Sequence, residues 1–382
     1  MSENIVIKSE EEERLRKDLV NRHDSESERL KRFLNMPDLS RISGNPLNEL
    51  IERLVNLPEF RNFDTIESPE IVDTKISFDI FNTPKNHPSR SRTDTYYVDD
   101  NHILRTQTTV MWYYHVSNEI VKERIKNNES IGALSYGKVY RKDEIDRHHM
   151  NVFHQIDGWY LVPRKQKIIN IQDLQNILVK IAQAIFGDQI KYRFNEDIFP
   201  FTDPSIEMEI EKDGKWIEVL GSGVVHKNVL NNLGINPEKY TGWAFGFGLE
   251  RLAIISMDLP DIRLLWSPDE RVKKQLKLGQ KYQGVSKFPP IVRDISFVVD
   301  KDFVPNDYFD IIRDIGGNLI EQVELLDKYE NVEKFGRDKL SYTFRITYRS
   351  LERTLTNTEV STLHTKLEDK TTSDFKAEIR RD

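Results

Sequence analysis

The chain has 382 residues, 38% of them hydrophobic and 31% charged, with a formal net charge of −7. It contains no cysteine, which excludes disulfides, thiolate zinc sites and cysteine nucleophiles and fits a reducing compartment. The length allows two domains with sizeable cores, the acidic balance leaves any nucleic-acid contact to local patches, and no run approaches the roughly 20 apolar residues of a membrane helix.

The N-terminus, MSENIVIKSEEEERLRKDL, is too acidic for a transit peptide and lacks an apolar signal core. A soluble intracellular protein is the expectation. Residues 1–40 read as a charged, solvated extension, with Leu15, Leu19 and Val20 marking at most one weak amphipathic helix. Leu47, Leu50, Ile51, Leu54 and Val55 recur at helical spacing and predict a helix over 46–57. A polar loop over 81–94 precedes a long helix over 108–126, and another helix covers 171–186. Strands are expected over 133–141, 152–162, 205–211 and 216–221, the last two joined as a hairpin by Asp213, Gly214 and Lys215. Strands and hairpins without strict strand–helix alternation argue for α+β. A Gly/Ser-bearing connector at 279–287 divides a domain over 41–286 from one over 287–382. In the latter, strand 291–299, helix 307–315, strands 320–328 and 340–348, a helix from the Thr356/Glu359 capping box to 367 and a strand at 375–379 give a ferredoxin-like βαββαβ order.

Three segments carry candidate chemistry. GWAFGFGLER (242–251) is either a tight turn into a core helix or a nucleotide site, in which glycines admit a flat ligand and Arg251 grips a phosphate. VYRKDEIDRHHMNVFHQIDG (139–158) is either a solvated surface hairpin or one whose Arg141 meets a triphosphate. His148 and His149 are neighbours that would point to opposite faces of a strand, so a shared metal would need an irregular loop; solvent or phosphate is their expected partner. Over 337–353, Arg345, Arg349 and Arg353 interleave with Tyr342, Phe344 and Tyr348. That pattern suits single-stranded RNA, or else a salt-bridged surface with its aromatics facing the core.

Together, VYRKDEID with FHQIDG, FPFTDPSIEMEI (199–210), WIEVLGSGVVH (216–226), GWAFGFGLERLAII (242–255) and PDIRLLW (260–266) resemble the catalytic domain of phenylalanyl-tRNA synthetases. FPPIVRDISF (288–297), RDIGG (313–317) and RITYRSLERTLT (345–356) resemble the anticodon-binding domain of that family, in its single-chain form. The resemblance implies a class II antiparallel sheet flanked by helices, with a ferredoxin-fold domain after it. It implies ligation of phenylalanine to tRNA(Phe) through an adenylate, with ATP as substrate, Mg²⁺ as cofactor, no zinc, no membrane partner and a monomer.

By the same resemblance Arg141 and Arg251 are catalytic, and Asp143, His148, Phe153, Glu218 and Gly248 join them around ATP, Glu218 also as a Mg²⁺ ligand. Gln107, Thr109, Gln155, Asp157, Phe199, Phe201, Ala244 and Gly246 hold the amino acid. Arg345, Tyr348, Arg349 and Arg353 contact tRNA. Two places depart from the family pattern. Asp157 stands where glutamate is usual, and RTQTT (105–109) replaces RTHTS, although Gln107 and Thr109 still donate hydrogen bonds. The alternatives are a paralogue activating another aromatic amino acid, or a non-catalytic RNA-binding protein, against which intact Arg141, Arg251 and the glycine block argue. The acidic N-terminus favours the cytoplasm, with the mitochondrial matrix as the alternative.

Overall fold

A computed structural model describes residues 2–144, 146–283 and 288–381. It divides into two compact units. The first comprises Met1–Arg141, Val152–Leu259 and Leu276–Lys281; the second comprises Lys142–Asn151, Pro260–Gln275 and Tyr282–Asp382. Part of the expected connector, 284–287, lies outside the described residues.

The first unit begins with β1 (Asn4–Val6), α1 (Glu10–Val20), α2 (Ser25–Asn35) and α3 (Pro46–Val55). Strands β2 (Asp64–Glu67), β3 (Ile71–Asp73) and β4 (His102–Leu104) come next, then helices α4 (Met111–Ser117) and α5 (Glu119–Lys126). After these lie β5 (Ile131–Tyr140), β6 (Val152–Pro163), α6 (Ile171–Phe186), β7 (Tyr192–Asp197), β8 (Thr202–Lys212) and β9 (Lys215–Val225). Helix α7 (Lys227–Asn232), β10 (Tyr240–Gly248) and α8 (Leu249–Met257) complete it. Eight strands form one sheet in the order β1-β2-β5-β6-β10-β9-β8-β7. The pairs β1–β2 and β2–β5 are parallel and the others antiparallel.

The described part of the expected extension, residues 2–40, is built into this unit rather than left solvated. Leu15 and Leu19 of α1 and Leu30, Phe33 and Leu34 of α2 are buried, and β1 extends the sheet. The buried Lys138 ammonium donates to the carbonyls of Leu34 (2.9 Å) and Met36 (2.7 Å). The helix expected over 108–126 is two helices. Asn118 has extended backbone, and its side-chain oxygen accepts from the amides of Ile120 (3.0 Å) and Val121 (3.4 Å), capping α5 and ending α4.

The segment 242–248 is a strand, not a turn. Trp243, Phe245 and Phe247 stack on one face, Trp243 also against Phe63 and Tyr160. Gly242, Ala244, Gly246 and Gly248 alternate onto the other face. There Ala244 joins a core of Trp112, Val116, Trp159 and Leu161, with Phe201 packed against it.

The second unit holds a short helix α9 (Glu270–Lys273), then β11 (Ile291–Asp300), α10 (Pro305–Gly316), β12 (Ile320–Tyr329), α11 (Val332–Phe335), β13 (Lys339–Tyr348), α12 (Asn357–Phe375) and β14 (Glu378–Arg380). The sheet order β12-β13-β11-β14, all antiparallel, is ferredoxin-like. The capping box forms as expected, but α12 runs on to Phe375, so the last strand starts later than the sequence suggests.

Because Leu30 is fully buried, Leu30→Ala is expected to lower the unfolding free energy by about 2–5 kcal/mol in urea denaturation. A loss below about 0.5 kcal/mol would fit the solvated extension instead.

Candidate active site

On β6, alternation puts Phe153, Gln155, Asp157 and Trp159 on the sheet face shared with Ala244, Gly246 and Gly248, since Gln155 lies opposite Gly248, Asp157 opposite Gly246 and Trp159 opposite Ala244. Arg141 directly follows β5. Its Nε donates to the Thr106 carbonyl at 3.0 Å, and its guanidinium lies 5.1 Å from the centre of the Phe153 ring.

The turn 105–109 orients two of these groups at once. The Arg105 side chain is buried and donates to the carbonyls of Lys138 (2.8 Å) and Ser68 (2.7 Å), and its own carbonyl accepts from the Tyr140 amide at 3.0 Å. Thr106 fixes Arg141. Thr108 and Thr109 both donate to Asp157, Thr109 at 2.5 Å. Gln107 is half-buried beside them. Thr108 was absent from the expected site; its burial and its bond to Asp157 come from the fold and not from any local pattern.

Burial pushes the Asp157 carboxyl up to about 6, against the lowering effect of the Thr108 and Thr109 hydroxyls and of the Arg141 and Arg105 charges. Beside it, the side-chain carbonyl of Gln155 is buried and has no hydrogen-bond partner. A buried acceptor left unmade is costly, so this pair is suited to a cationic donor arriving with a ligand.

Asp157 faces Gly246, where a Cβ would stand 2.7 Å from its Oδ1. Gly246 pairs with Gly221 on β9, where a Cβ would stand 2.9 Å from the Phe199 ring. Phe199 stacks on Phe201 at 5.8 Å, and Phe201 meets the edges of Trp112 and Phe81, each at 6.1 Å. Two glycines therefore leave a bare strip of sheet between a carboxylate and an aromatic wall. With strands about 4.8 Å apart, β6 and β9 lie about 10 Å from each other.

Arg251, on the first turn of α8, and Glu218 are both half-exposed; their side chains approach to 3.5 Å, and Arg251 also donates to the Glu218 carbonyl at 3.3 Å. An exposed pair of this kind is weak and readily exchanged. A second group missed from sequence holds α8 to β6. Buried His154 donates from Nδ1 to Glu250 (2.6 Å) and accepts at Nε2 from the Leu39 amide (3.0 Å). Among the described residues no group of three or more His, Asp or Glu side chains could hold a metal ion.

Asp143 and His148 fall in loop 142–151, which belongs to the second unit. Arg313 donates to the carbonyls of Asp143 (3.2 Å) and Glu144 (2.7 Å), and Lys142 pairs with Asp307 at 2.8 Å. The amides of His148 and His149 both donate to Asp146, which these hydrogen bonds and His149 hold down at about 2 against its partial burial. The structure thus gathers Arg141, Phe153, Gln155, Asp157, Phe199, Phe201, Ala244, Gly246, Gly248, Glu218 and Arg251 in the first unit, and Asp143 and His148 in the second.

The expected RNA strand needs correction. Tyr348 is 1% exposed and hydrogen-bonds His364, and Tyr342 and Phe344 are buried with it in the core, so none offers a ring to RNA. Arg345 forks onto Asp294 at 2.9 and 2.8 Å, Arg349 meets Glu321 at 2.8 Å, and Arg353 pairs with Glu359.

The profile of tRNA synthetases class II core domain (F) matches residues 32–276, and that of the ferredoxin-fold anticodon binding domain matches 286–380. The chain belongs to the phenylalanine–tRNA ligase family. It is 36% identical over 344 residues to the mitochondrial phenylalanine–tRNA ligase of Mus musculus, covering 80% of this chain and 72% of the relative. The chloroplastic/mitochondrial enzyme of Arabidopsis thaliana is 38% identical over 333 residues, covering 84% and 73%. The mitochondrial enzyme of Saccharomyces cerevisiae is 31% identical over 417 residues, covering 87% of each chain. The family thus accounts for a core and an anticodon-binding domain in one polypeptide.

Because the native state raises the Asp157 pKa from its ordinary 3.8 to about 6, folding favours the protonated acid. The resulting penalty is absent below pH 3.8, grows between 3.8 and 6, and is complete above. Asp157→Asn is expected to be more stable than the parent at pH 7.5, by up to about 3 kcal/mol, with the gap closing towards pH 4. Urea titrations at both pH values check this; an equal gap at both would remove the ionisation of Asp157 as its source.

Proposed function

We infer that this chain activates phenylalanine with ATP and transfers it to the terminal adenosine of tRNA(Phe). The observation that carries this reading is the row Asp157–Gly246–Gly221–Phe199: an anionic acceptor pair at one end, bare backbone in the middle and an aromatic wall at the other. An aromatic amino acid lies along it with its ammonium at Asp157 and Gln155 and its ring against Phe199, Phe201 and Ala244. Edge contacts with these rings suit the ring quadrupole. The wall is built of hydrocarbon and aromatic groups, which favours phenylalanine over more polar side chains.

The substrate carboxylate then attacks the α-phosphorus of ATP, a P–O bond forms, and pyrophosphate leaves. Arg141 stabilises the charge that develops on the phosphoryl oxygens, Phe153 supplies a face for adenine, and Arg251 exchanges Glu218 for the distal phosphates. In the second step the terminal ribose hydroxyl attacks the acyl carbon and AMP leaves. Positioning and charge stabilisation carry both steps, and no covalent enzyme intermediate is needed. Glu218 fits Mg²⁺ as a single carboxylate ligand with phosphates and water completing the shell, the usual manner for this ion; the ion would neutralise the phosphates as pyrophosphate departs. Asp143 and His148 would add contacts to ATP, as the family resemblance implies.

For tRNA, the exposed ring is Tyr329. Among the described residues of the second unit it is the one phenyl, phenol or indole ring in the exposed class, at 41%, at the end of the edge strand β12 beside Lys328. A base stacks there, and Arg345, Arg349 and Arg353 remain available to phosphates that displace their carboxylates. Both modules lie in one chain, so a monomer suffices. The relatives carry mitochondrial or chloroplastic/mitochondrial names. They lend nothing to the cytoplasmic expectation and favour an organelle matrix.

Pyrophosphate exchange across the standard amino acids tests the reading: phenylalanine is expected to drive it best, and preference for another amino acid would overturn the assignment. Arg141→Ala and Arg251→Ala are each expected to slow phenylalanine-dependent exchange by about a hundredfold or more, from about 2–4 kcal/mol of lost charge stabilisation. Near-parental exchange would remove them from the reaction. Tyr329→Ala is expected to weaken tRNA charging by about tenfold or more and leave exchange unchanged; equal charging would place the RNA elsewhere.

A further inference from the structure

Beneath the aromatic wall runs a buried polar chain that the reaction does not use. Asp64 on β2 and His115 on α4 have no exposed side-chain surface. Asp64 accepts from the Glu3 amide (2.7 Å), Arg124 (2.8 Å) and His115 Nε2 (2.9 Å), and His115 Nδ1 accepts from the Trp159 indole N–H (3.0 Å). A carboxylate only accepts and an indole N–H only donates, so these partners fix the imidazole as neutral with its proton on Nε2. Burial lowers the pKa of His115 and keeps it so.

Trp159 ends the line of β6 residues that face the site, directly opposite Ala244. Its ring stacks on Trp112 at 5.0 Å with the planes 9° apart. Trp112 stands edge-on to Phe201 and to Phe81, and its own Nε1 is buried without a hydrogen-bond partner. Trp112 is therefore oriented by packing alone, and the stack takes its polar anchor from Trp159. Packing tolerates several rotations of stacked rings, whereas a directed N–H···N bond selects one. Charged and polar groups in an apolar core are costly unless every atom is satisfied, so a chain used only as filler would be better made of hydrocarbon.

We propose that His115 is a positioning residue for amino-acid recognition: through Trp159 and Trp112 it sets the orientation of the Phe201 wall against which the substrate ring packs. The proposal rests on the reading of Phe201 and Ala244 as the end of the phenylalanine pocket. It also makes the residue leading into β1 part of that pocket's support, because the Glu3 amide holds the far end of the chain.

The test is a double-mutant cycle of His115→Phe and Trp159→Phe in the full chain, monitored by phenylalanine-dependent pyrophosphate exchange. In His115→Phe, Asp64 keeps Glu3 and Arg124, so the carboxylate is not stranded. The KM for phenylalanine is expected to rise about tenfold, the scale of one lost directed hydrogen bond, with kcat and the KM for ATP within about twofold of the parent. His115→Gln, which keeps a donor and an acceptor, is expected to recover most of the loss and covers the case in which His115→Phe does not fold. Adding His115→Phe to Trp159→Phe is expected to change nothing further, because the N–H is already gone. The near-ultraviolet dichroism of the indole pair is expected to weaken in His115→Phe alone. An unchanged KM for phenylalanine, additive effects in the cycle, or parallel losses in kcat and both KM values would overturn the proposal. A parent protein inactive with phenylalanine would defeat the functional reading instead, and the dichroism would still report whether His115 anchors the stack.

Discussion

The site depends on one constrained ion. Asp157 is a carboxylate that burial pushes towards its neutral form, in the position that the proposed function gives to the acceptor of the substrate ammonium. Two threonine hydroxyls give it hydrogen bonds, two arginines give it favourable field, and Gly246 gives it room. Thr108, Thr109 and Arg105 come from the turn 105–109, Arg141 from the end of β5 and Gly246 from β10, so the placement of these elements and of β6 is tied to the same few atoms. The two Asp157 oxygens accept from Thr108 and Thr109 of the same turn. A carboxyl whose pKa the fold raises destabilises the fold at neutral pH, and under the proposed function its use lies in what it binds, a familiar tension between stability and activity.

Around that ion, β6 acts as a ruler. Its alternate residues place a ring near Arg141, an amide carbonyl, the carboxylate and then an anchored indole on one face, at two-residue steps. Its other face is fixed by His154, which ties it to α8 and so to Arg251. The strand-to-strand row through Gly246 and Gly221 adds the second dimension. Registration of antiparallel strands, rather than any single motif, is what converts a sequence order into a site.

Much of this was legible in the residues. The glycine block and the arginine before the loop were readable as one of two alternatives, Gln155 and Asp157 came from the family resemblance, and the ferredoxin-like order of the second unit followed from its capping box and its alternation. Other features were hidden for physical reasons. The α1 and α2 helices are mostly charged, and a composition average weighs their exposed faces over the few leucines that anchor them. Asn118 breaks a continuous helical pattern because its side chain caps the first turn of α5, a local competition that periodicity does not register. In 242–248 the alternation of bulky and small residues was a strand signal, but glycine in the small positions looks like a turn. Between 342 and 348 the period of two assigns Tyr342, Phe344 and Tyr348 to one face, yet nothing in the chain says which face meets the core. Thr108 and His115 are buried polar residues whose partners lie some fifty residues away, beyond any local pattern.

Proton linkage to phenylalanine binding tests the central claim most directly. Calorimetric titrations at pH 6 in buffers of different ionisation enthalpy give the number of protons exchanged on binding. If the ammonium of the ligand pairs with a carboxyl whose free pKa is about 6, binding ionises it and releases roughly half a proton per site. The release should vanish in Asp157→Asn. Phenylalanine binding without proton release, or with the same release in Asp157→Asn, would contradict the account of Asp157 as the acceptor on which the site is built.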